Sequence, residues 1–297
     1  MRAVSRARHR AVRRALVLAA GNGDRFHNPN RQSKLLQPVL GQPLILRTLQ
    51  TAQHAGIRSF EFVLGYQADA LRTLIERETP DGVEVRFSFN PDWHLENGVS
   101  VLSARHRFVD SRFALLMGDH LFEASVLTRL LQADVERDES VLAVDSRPAP
   151  PDVEAEATKV WTIGSQIVAI GKDLETYNAL DTGLFVCAPA LFGALDASTR
   201  SGDTTLSGGI RQLASRGLMR AVDIGDASWY DIDTMADLQA AESRLTNAAP
   251  QLLRAPASGR VPATARQLHR RIDTTRPVLR RGSDEILRPS AGQSEHV

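Results

Sequence analysis

Near the start of the chain two glycines fall within three positions, followed by an arginine and, nine residues on, a lysine: Gly21-Asn-Gly23-Asp-Arg25, then Lys34. Glycine has no Cβ, so its backbone can turn with φ > 0 and present N–H groups to an anion such as a triphosphate. Arg25 offers a planar fork of donors and Lys34 a compact positive charge, the two ways in which side chains hold phosphate oxygens. Far downstream stand Asp119, Asp231 and Asp233, carboxylates suited to a hard divalent cation such as Mg2+, which typically takes one or two of them plus substrate phosphates. Each residue also has a plainer reading, a β-turn for the glycines and a turn or helix cap for the aspartates. Two familiar phosphate loops are excluded: the dinucleotide fingerprint G-x-G-x-x-G fails at Phe26, and G-x-x-x-x-G-K-[ST] is absent.

The elements that must position these groups read as alternating strands and helices. Residues 15–20 are a short apolar run expected as a strand buried on both faces, and Asp119 follows a second such run at 113–117, where open α/β sheets bind ligands. Between them come a turn at 38–41, a helix over 43–55, a strand at 60–64, a helix over 67–76 and a strand at 83–89; Glu96-Asn97-Gly98-Val-Ser100 reads as a turn leading into a helix. A helix over 123–133 and a strand at 141–144 complete a mostly parallel half. A hairpin is then expected at 158–163 and 166–170, a strand at 181–186, helices near 189–195 and 206–215, a strand at 221–224, a strand at 229–233 and a capped helix over 234–245. Asp231 and Asp233, two apart on one strand, would face the same side.

The chain of 297 residues, 42% apolar, is long enough for a sizeable core. The single Cys187 cannot form an internal disulfide, which fits the cytoplasm, and no apolar run is long enough to span a membrane. An Arg-rich start before residues 15–20 mimics a secretion signal, but cleavage there would cut through the glycine loop. Residues 1–14 carry six Arg and no acid, and residues 246–297 nine Arg against four acids, which leaves 15–245 at a net −10. We therefore read a basic tail (1–14), one domain (15–245) and an Arg/Pro-rich, disordered tail (246–297); nucleic-acid binding is not expected, and a homo-oligomer is compatible. Against 33 Arg the chain has three Lys, at 34, 159 and 172, as if a point charge were needed at those places.

Seven motifs then occur in one order: Leu18-Ala19-Ala20-Gly21-x-Gly23-x-Arg25 with Lys34; Asn97-Gly98-x-Ser100; Met117-Gly-Asp119; Thr158-Lys159; Ile170-Gly-Lys172-Asp173; Asp181-Thr182-Gly183; and Trp229-x-Asp231-x-Asp233-Thr234. In this the chain resembles the NTP-transferase family of sugar-phosphate nucleotidyltransferases over residues 15–245, most of all the cytidylyltransferase domain of inositol-1-phosphate cytidylyltransferases. The resemblance implies a doubly wound, Rossmann-like mixed sheet of the nucleotidyltransferase (GT-A-like) type, with a small β-rich acceptor-binding part.

It also implies a Mg2+-dependent reaction in which a phosphate oxygen of a phosphorylated polyol such as inositol 1-phosphate attacks the α-phosphorus of an NTP, CTP for preference, and releases pyrophosphate. On that resemblance Arg25, Lys34 and Lys172 are catalytic, while Ala19, Ala20, Gly21, Gly23, Asn97, Gly98 and Ser100 bind the nucleotide. Lys159, Lys172, Asp181 and Thr182 bind the acceptor; Asp119 and Asp231 hold the metal, with Asp233 in reserve. Asp24 stands where the family has Thr or Ser, and Gly171 where sugar-1-phosphate members have a Glu that grips sugar hydroxyls. The membrane domain often joined to inositol-phosphate enzymes is absent from this sequence. The rival readings are a sugar-1-phosphate or phosphocholine nucleotidyltransferase, the latter needing an aromatic cage, and a regulatory protein that binds nucleotide without turnover.

Overall fold

Strand β1 (Arg14–Ala19) is an interior strand whose side chains have apolar partners on both faces: Ala15, Val17 and Ala19 join one core and Leu16 the other. The computed structural model describes residues 11–26 and 32–252; most of the basic N-terminal run and the C-terminal tail beyond Leu252 lie outside the described residues. The strand begins at Arg14, one residue before the expected boundary.

The chain continues through a two-residue hairpin, β2 (Pro38–Val39) and β3 (Gln42–Pro43), then α1 (Leu44–His54), β4 (Ser59–Leu64), α2 (Ala68–Glu78), β5 (Glu84–Phe89) and α3 (Asn97–Ser103). Next come β6 (Phe113–Met117), β7 (His120–Phe122), α4 (Ala124–Gln132), β8 (Ser140–Asp145), α5 (Pro151–Glu156), β9 (Lys159–Ile163), β10 (Gln166–Gly171) and β11 (Ala179–Cys187). The last elements are α6 (Ala190–Arg200), α7 (Leu206–Ala214), β12 (Met219–Asp223), β13 (Trp229–Asp231) and α8 (Met235–Leu252). The final helix thus runs past the boundary at 245 read from the sequence.

One nine-stranded sheet has the order β5-β4-β1-β6-β11-β8-β12-β10-β9. The first four strands are parallel, as βαβ alternation predicts, and bring the ends of β1 and β6 side by side. β11 is inserted antiparallel between β6 and β8, so the sheet is mixed. Helices cover both faces, α1, α2, α4 and α8 on one and α3, α6 and α7 on the other. No helix among the described residues is long and apolar enough to cross a membrane.

Two short details of the backbone differ from the sequence reading, and both bear on side-chain placement. β7 is only three residues long and pairs with β13 outside the main sheet, with Asp231 opposite His120. The expected strand over 229–233 stops at Asp231 because the next backbone groups belong to a helix cap. The N–H groups of Asp233 and Thr234 both donate to the Asp237 carboxylate, at 3.2 and 2.7 Å, and the Asp237 N–H donates back to the Thr234 hydroxyl.

Candidate active site

The loop after β1 is fixed at both ends. Tyr66 N–H donates to the Ala20 carbonyl at 2.8 Å, Phe26 is buried, and its N–H closes a turn on the Gly23 carbonyl at 2.8 Å. Gly23 has φ +65 and sits on the stem of Lys34, where a Cβ would stand 3.1 Å from Cδ of that lysine. This is the close approach for which a glycine is needed. Asp24 turns to Asn22, which donates to it at 2.5 Å, so its carboxylate is held within the loop.

Lys34 begins a short 3-10 turn capped by the Ser33 hydroxyl, which accepts from Leu35 N–H. Only 8% exposed, its ammonium lies 2.7 Å from Asp119 and 2.8 Å from Asp233. Burial alone would lower the lysine pKa, but the two carboxylates outweigh it and raise it above its ordinary value, so Lys34 stays charged at every physiological pH. Arg25 bridges Asp233 at 2.6 Å and Glu156 of α5 at 3.0 Å. Asp233 therefore faces two cations, while Asp231 lies 3.6 Å from His120 Nδ1 and feels Asp119, Asp233 and Lys34.

Asp119, just past β6, also accepts from His120 Nδ1 at 3.0 Å, and the same nitrogen is 3.6 Å from Asp231. Potential ligand atoms of Asp119, His120 and Asp231 all lie within 4.8 Å of one another. Burial raises the Asp119 pKa, but Lys34 and His120 reverse that and hold the carboxyl well below the usual range. Burial lowers that of His120, and Asp231 with Asp119 reverses it, pushing the imidazole up to about 9. Burial of its carboxyl pushes Asp231 up to about 6, helped by Asp119 and Asp233 and opposed by His120. Two carboxylates converging on one point are the donors a hard divalent ion takes; Lys34 and the protonated imidazole, which now neutralise them, would have to give way to it.

Gly183 secures this arrangement from below. Its φ is +73 where the β11–β8 register breaks, its N–H donates to Asp181 at 2.7 Å, and a Cβ there would fall 2.5 Å from His120 Nε2. Asp181 shares the local field of His120 and Asp231, and burial pushes its carboxyl up to about 6. A cavity of about 410 Å3 opens at the glycine loop, lined by Gly21, Gly23 and Arg25 with Asp233 and by Trp93 and His94.

Several expected contacts have other work. The hydroxyl of Thr182 is fully buried and donates to the Ala143 carbonyl at 2.8 Å, so Thr182 faces the core and is corrected out of the acceptor set. Asn97, Gly98 and Ser100 form the first turn of α3 instead of a preceding turn. Asn97 accepts from Leu206 N–H at 2.8 Å, Ser100 accepts from Asn90 at 2.9 Å, and a Cβ on Gly98 would meet the Thr204 carbonyl at 2.4 Å. These three dock α3 to α7 and β5. Ala19 and Ala20 are buried beneath the loop and contribute small size. Lys159 donates to the Lys172 carbonyl at 3.1 Å and lies 5.5 Å over the Tyr177 ring, while the Lys172 side chain is exposed.

His120 and Glu156 are members of the cluster that sequence reasoning missed. A histidine directly after Asp119 was the available signal for the first; the second depends on α5, a short helix opening on Pro151 that the reading left out.

Comparison with known proteins gives four likenesses. Residues 15–213 match the MobA-like NTP transferase domain family. The chain is 36% identical over 232 residues to a "Bifunctional IPC transferase and DIPP synthase" of Rubrobacter xylanophilus, covering 77% of this chain and 51% of that protein. It is 31% identical over 250 residues to a "CMP-5'-(3-aminopropyl)phosphonate synthase" of Streptomyces rubellomurinus, covering 78% and 39%. The chain spans about half the length of the curated relatives it matches. The solved structure of the inositol-1-phosphate CTP transferase from T. maritima superposes with a TM-score of 0.70 at 26% identity, covering 80% of this chain and 96% of that one.

Proposed function

Because the chain belongs to the family of MobA-like NTP transferase domains, we propose that it transfers CMP from CTP to a phosphorylated polyol such as inositol 1-phosphate and releases pyrophosphate. The observation that carries the proposal is the Lys34 ammonium, buried and held between Asp119 and Asp233 beside a glycine loop and an open cavity. The choice of CTP and of an inositol phosphate is supported by the names of the T. maritima structure and of the phosphonate relative.

In the proposed step an oxygen of the acceptor phosphate forms a bond to the α-phosphorus of CTP. The bond from the α-phosphorus to the oxygen that bridges it to the β-phosphorus breaks, and pyrophosphate leaves with that oxygen and the electron pair. Such a transfer needs positioning and charge neutralisation more than covalent chemistry. The N–H groups of Gly21 and Gly23 and the fork of Arg25 hold the β- and γ-phosphates; for this Arg25 exchanges Glu156 for phosphate oxygen. Lys34, fixed at the strand ends, lies where triphosphate and acceptor phosphate meet. Asp119 and Asp231 would hold a Mg2+, whose charge would offset that gathering on the α-phosphate. Lys172 meets the acceptor phosphate, and Asp181 accepts from its hydroxyls. The Tyr177 ring is already covered by Lys159, which disfavours a quaternary ammonium acceptor such as phosphocholine at that point. The single, buried Cys187 supports a reducing, cytoplasmic setting.

The test is pyrophosphate release from each of the four NTPs with inositol 1-phosphate, glucose 1-phosphate and phosphocholine. Release with CTP and inositol 1-phosphate is expected. Release with glucose 1-phosphate alone would replace the acceptor, and none with any pair would favour a regulatory nucleotide-binding role.

A further inference from the structure

A second gathering of positive charge lies at the end of β10. Lys159 Nζ donates to the Lys172 carbonyl at 3.1 Å and Arg211 Nη1 to the Ile170 carbonyl at 3.2 Å, so two cations are pinned to the backbone on either side of Gly171. The exposed side chain of Lys172 adds a third charge next to them. Two of the three lysines in the chain are spent here. Arg211 reaches the spot from α7, its other terminal nitrogen paired with Asp203, which is itself fixed by the N–H and hydroxyl of Thr205 at 3.0 and 2.6 Å.

Gly171 is the informative neighbour. Its φ lies outside the left-handed region, and a Cβ there would be 3.6 Å from Arg211 Nη1, an ordinary contact distance. Neither backbone conformation nor space therefore demands glycine, and what its missing side chain does is leave the guanidinium uncovered. The register locates the place: Gly171 pairs with Lys159 and Lys159 with Leu180, so Gly171 is two strand spacings, roughly 10 Å, from the residue before Asp181. Lys159, Lys172 and Asp181, the residues read above as acceptor-binding, thus lie on or beside these neighbouring strands. A phosphate monoester carries about −1.5 to −2 near neutral pH, and Arg211, though paired with Asp203, keeps an exposed face for it.

We infer that Arg211 binds the acceptor's phosphate dianion together with Lys159 and Lys172, and that Gly171 keeps its guanidinium open to that phosphate. The inference rests on the reading of the chain as an enzyme with a phosphorylated acceptor. A fork plus two point charges suits a dianion better than one lysine does. A carboxylate side chain at 171 would instead meet the guanidinium and close the site to a second anion.

The experiment uses R211Q, R211K, G171E and the double variant R211Q/G171E in the full chain, with KM for CTP and for inositol 1-phosphate from pyrophosphate release. Calorimetric binding of inositol 1-phosphate without nucleotide is measured alongside. R211Q should raise the acceptor KM about tenfold or more, the scale of a lost charge-assisted hydrogen bond, and leave the CTP KM within about twofold. R211K should recover part of the loss. G171E should act in the same direction, and the double variant should be no worse than the poorer single one, because both remove the same contact. An unchanged acceptor KM in R211Q overturns the inference, as does a parallel rise of both KM values with a lowered melting temperature. If the wild-type chain releases no pyrophosphate with any pair, the catalytic reading fails but calorimetry still decides this one. Binding weakened in R211Q upholds the phosphate site; equal binding in both, or none by the wild type, overturns it.

Discussion

The ammonium of Lys34 lies 2.7 Å from the carboxylate of Asp119, with the lysine side chain 9% and the aspartate 26% exposed. Each holds the other in its charged form, so the pair is a standing dipole at the ends of β1 and β6 and needs no proton movement to act. Removing the cation leaves two carboxylates facing each other. Lys34→Met should therefore lower stability by about 3 kcal/mol, the scale of a broken buried pair. It should also lower kcat/KM by at least about a thousandfold. Urea unfolding and pyrophosphate release measure the two effects, and near-normal turnover in a folded variant removes Lys34 from the chemistry.

Asp119→Asn keeps the shape and removes the charge. It should abolish turnover while Asp231→Asn raises the Mg2+ concentration needed for half-maximal rate, and EDTA should stop the wild-type reaction. A wild-type rate unmoved by EDTA would show that no divalent metal takes part.

Gly183→Ala should cost about 1–3 kcal/mol from backbone strain alone, since φ +73 is hostile to a side chain. The added methyl must also push His120 away from Asp119. Gly21→Ala, with nothing within 4 Å of its Cβ, is the contrasting variant and should leave the melting temperature nearly unchanged. Equal melting temperatures for both substitutions would contradict the role given to Gly183.

Arg220 grips Glu139 through Nε and Nη2 at 2.8 and 2.6 Å. Burial favours the neutral acid, but the hydrogen bonds from Arg220 win and hold the carboxyl below its ordinary 4.5. A lowered folded pKa contributes stability that is complete above the unfolded value and is lost as pH falls through the folded one. Melting temperature should thus fall below about pH 4.5, and Glu139→Gln should flatten that part of the curve. An identical acid limb in the variant would discount the pair.

The βαβ half was legible because each of its strands is a run of apolar side chains bounded by punctuation, and both faces of β1 are covered as such a run requires. The residues of the cluster were legible where a motif sits at a strand end, as with Lys34 and Asp119. Side-chain direction was not. Thr182 and Asp181 are neighbours in one motif, yet one hydroxyl points into the sheet and the other's carboxylate toward His120, because β11 breaks register at that point. Asp233 was placed on a strand whose last residues are claimed by the cap of α8. His120 acquires its partners only through β7 and β13, which pair across more than a hundred residues of sequence and leave no local trace.

Asp233 follows Lys34 by 199 positions and adjoins the Thr234–Asp237 cap. As a polypeptide leaves the ribosome amino end first, the lysine emerges long before the aspartate that completes its shell exists. A nascent chain interrupted anywhere before that cap could build the parallel strands yet would carry an unfinished charge cage, so competence for the reaction arrives late in synthesis, with the docking of the helix that α8 begins.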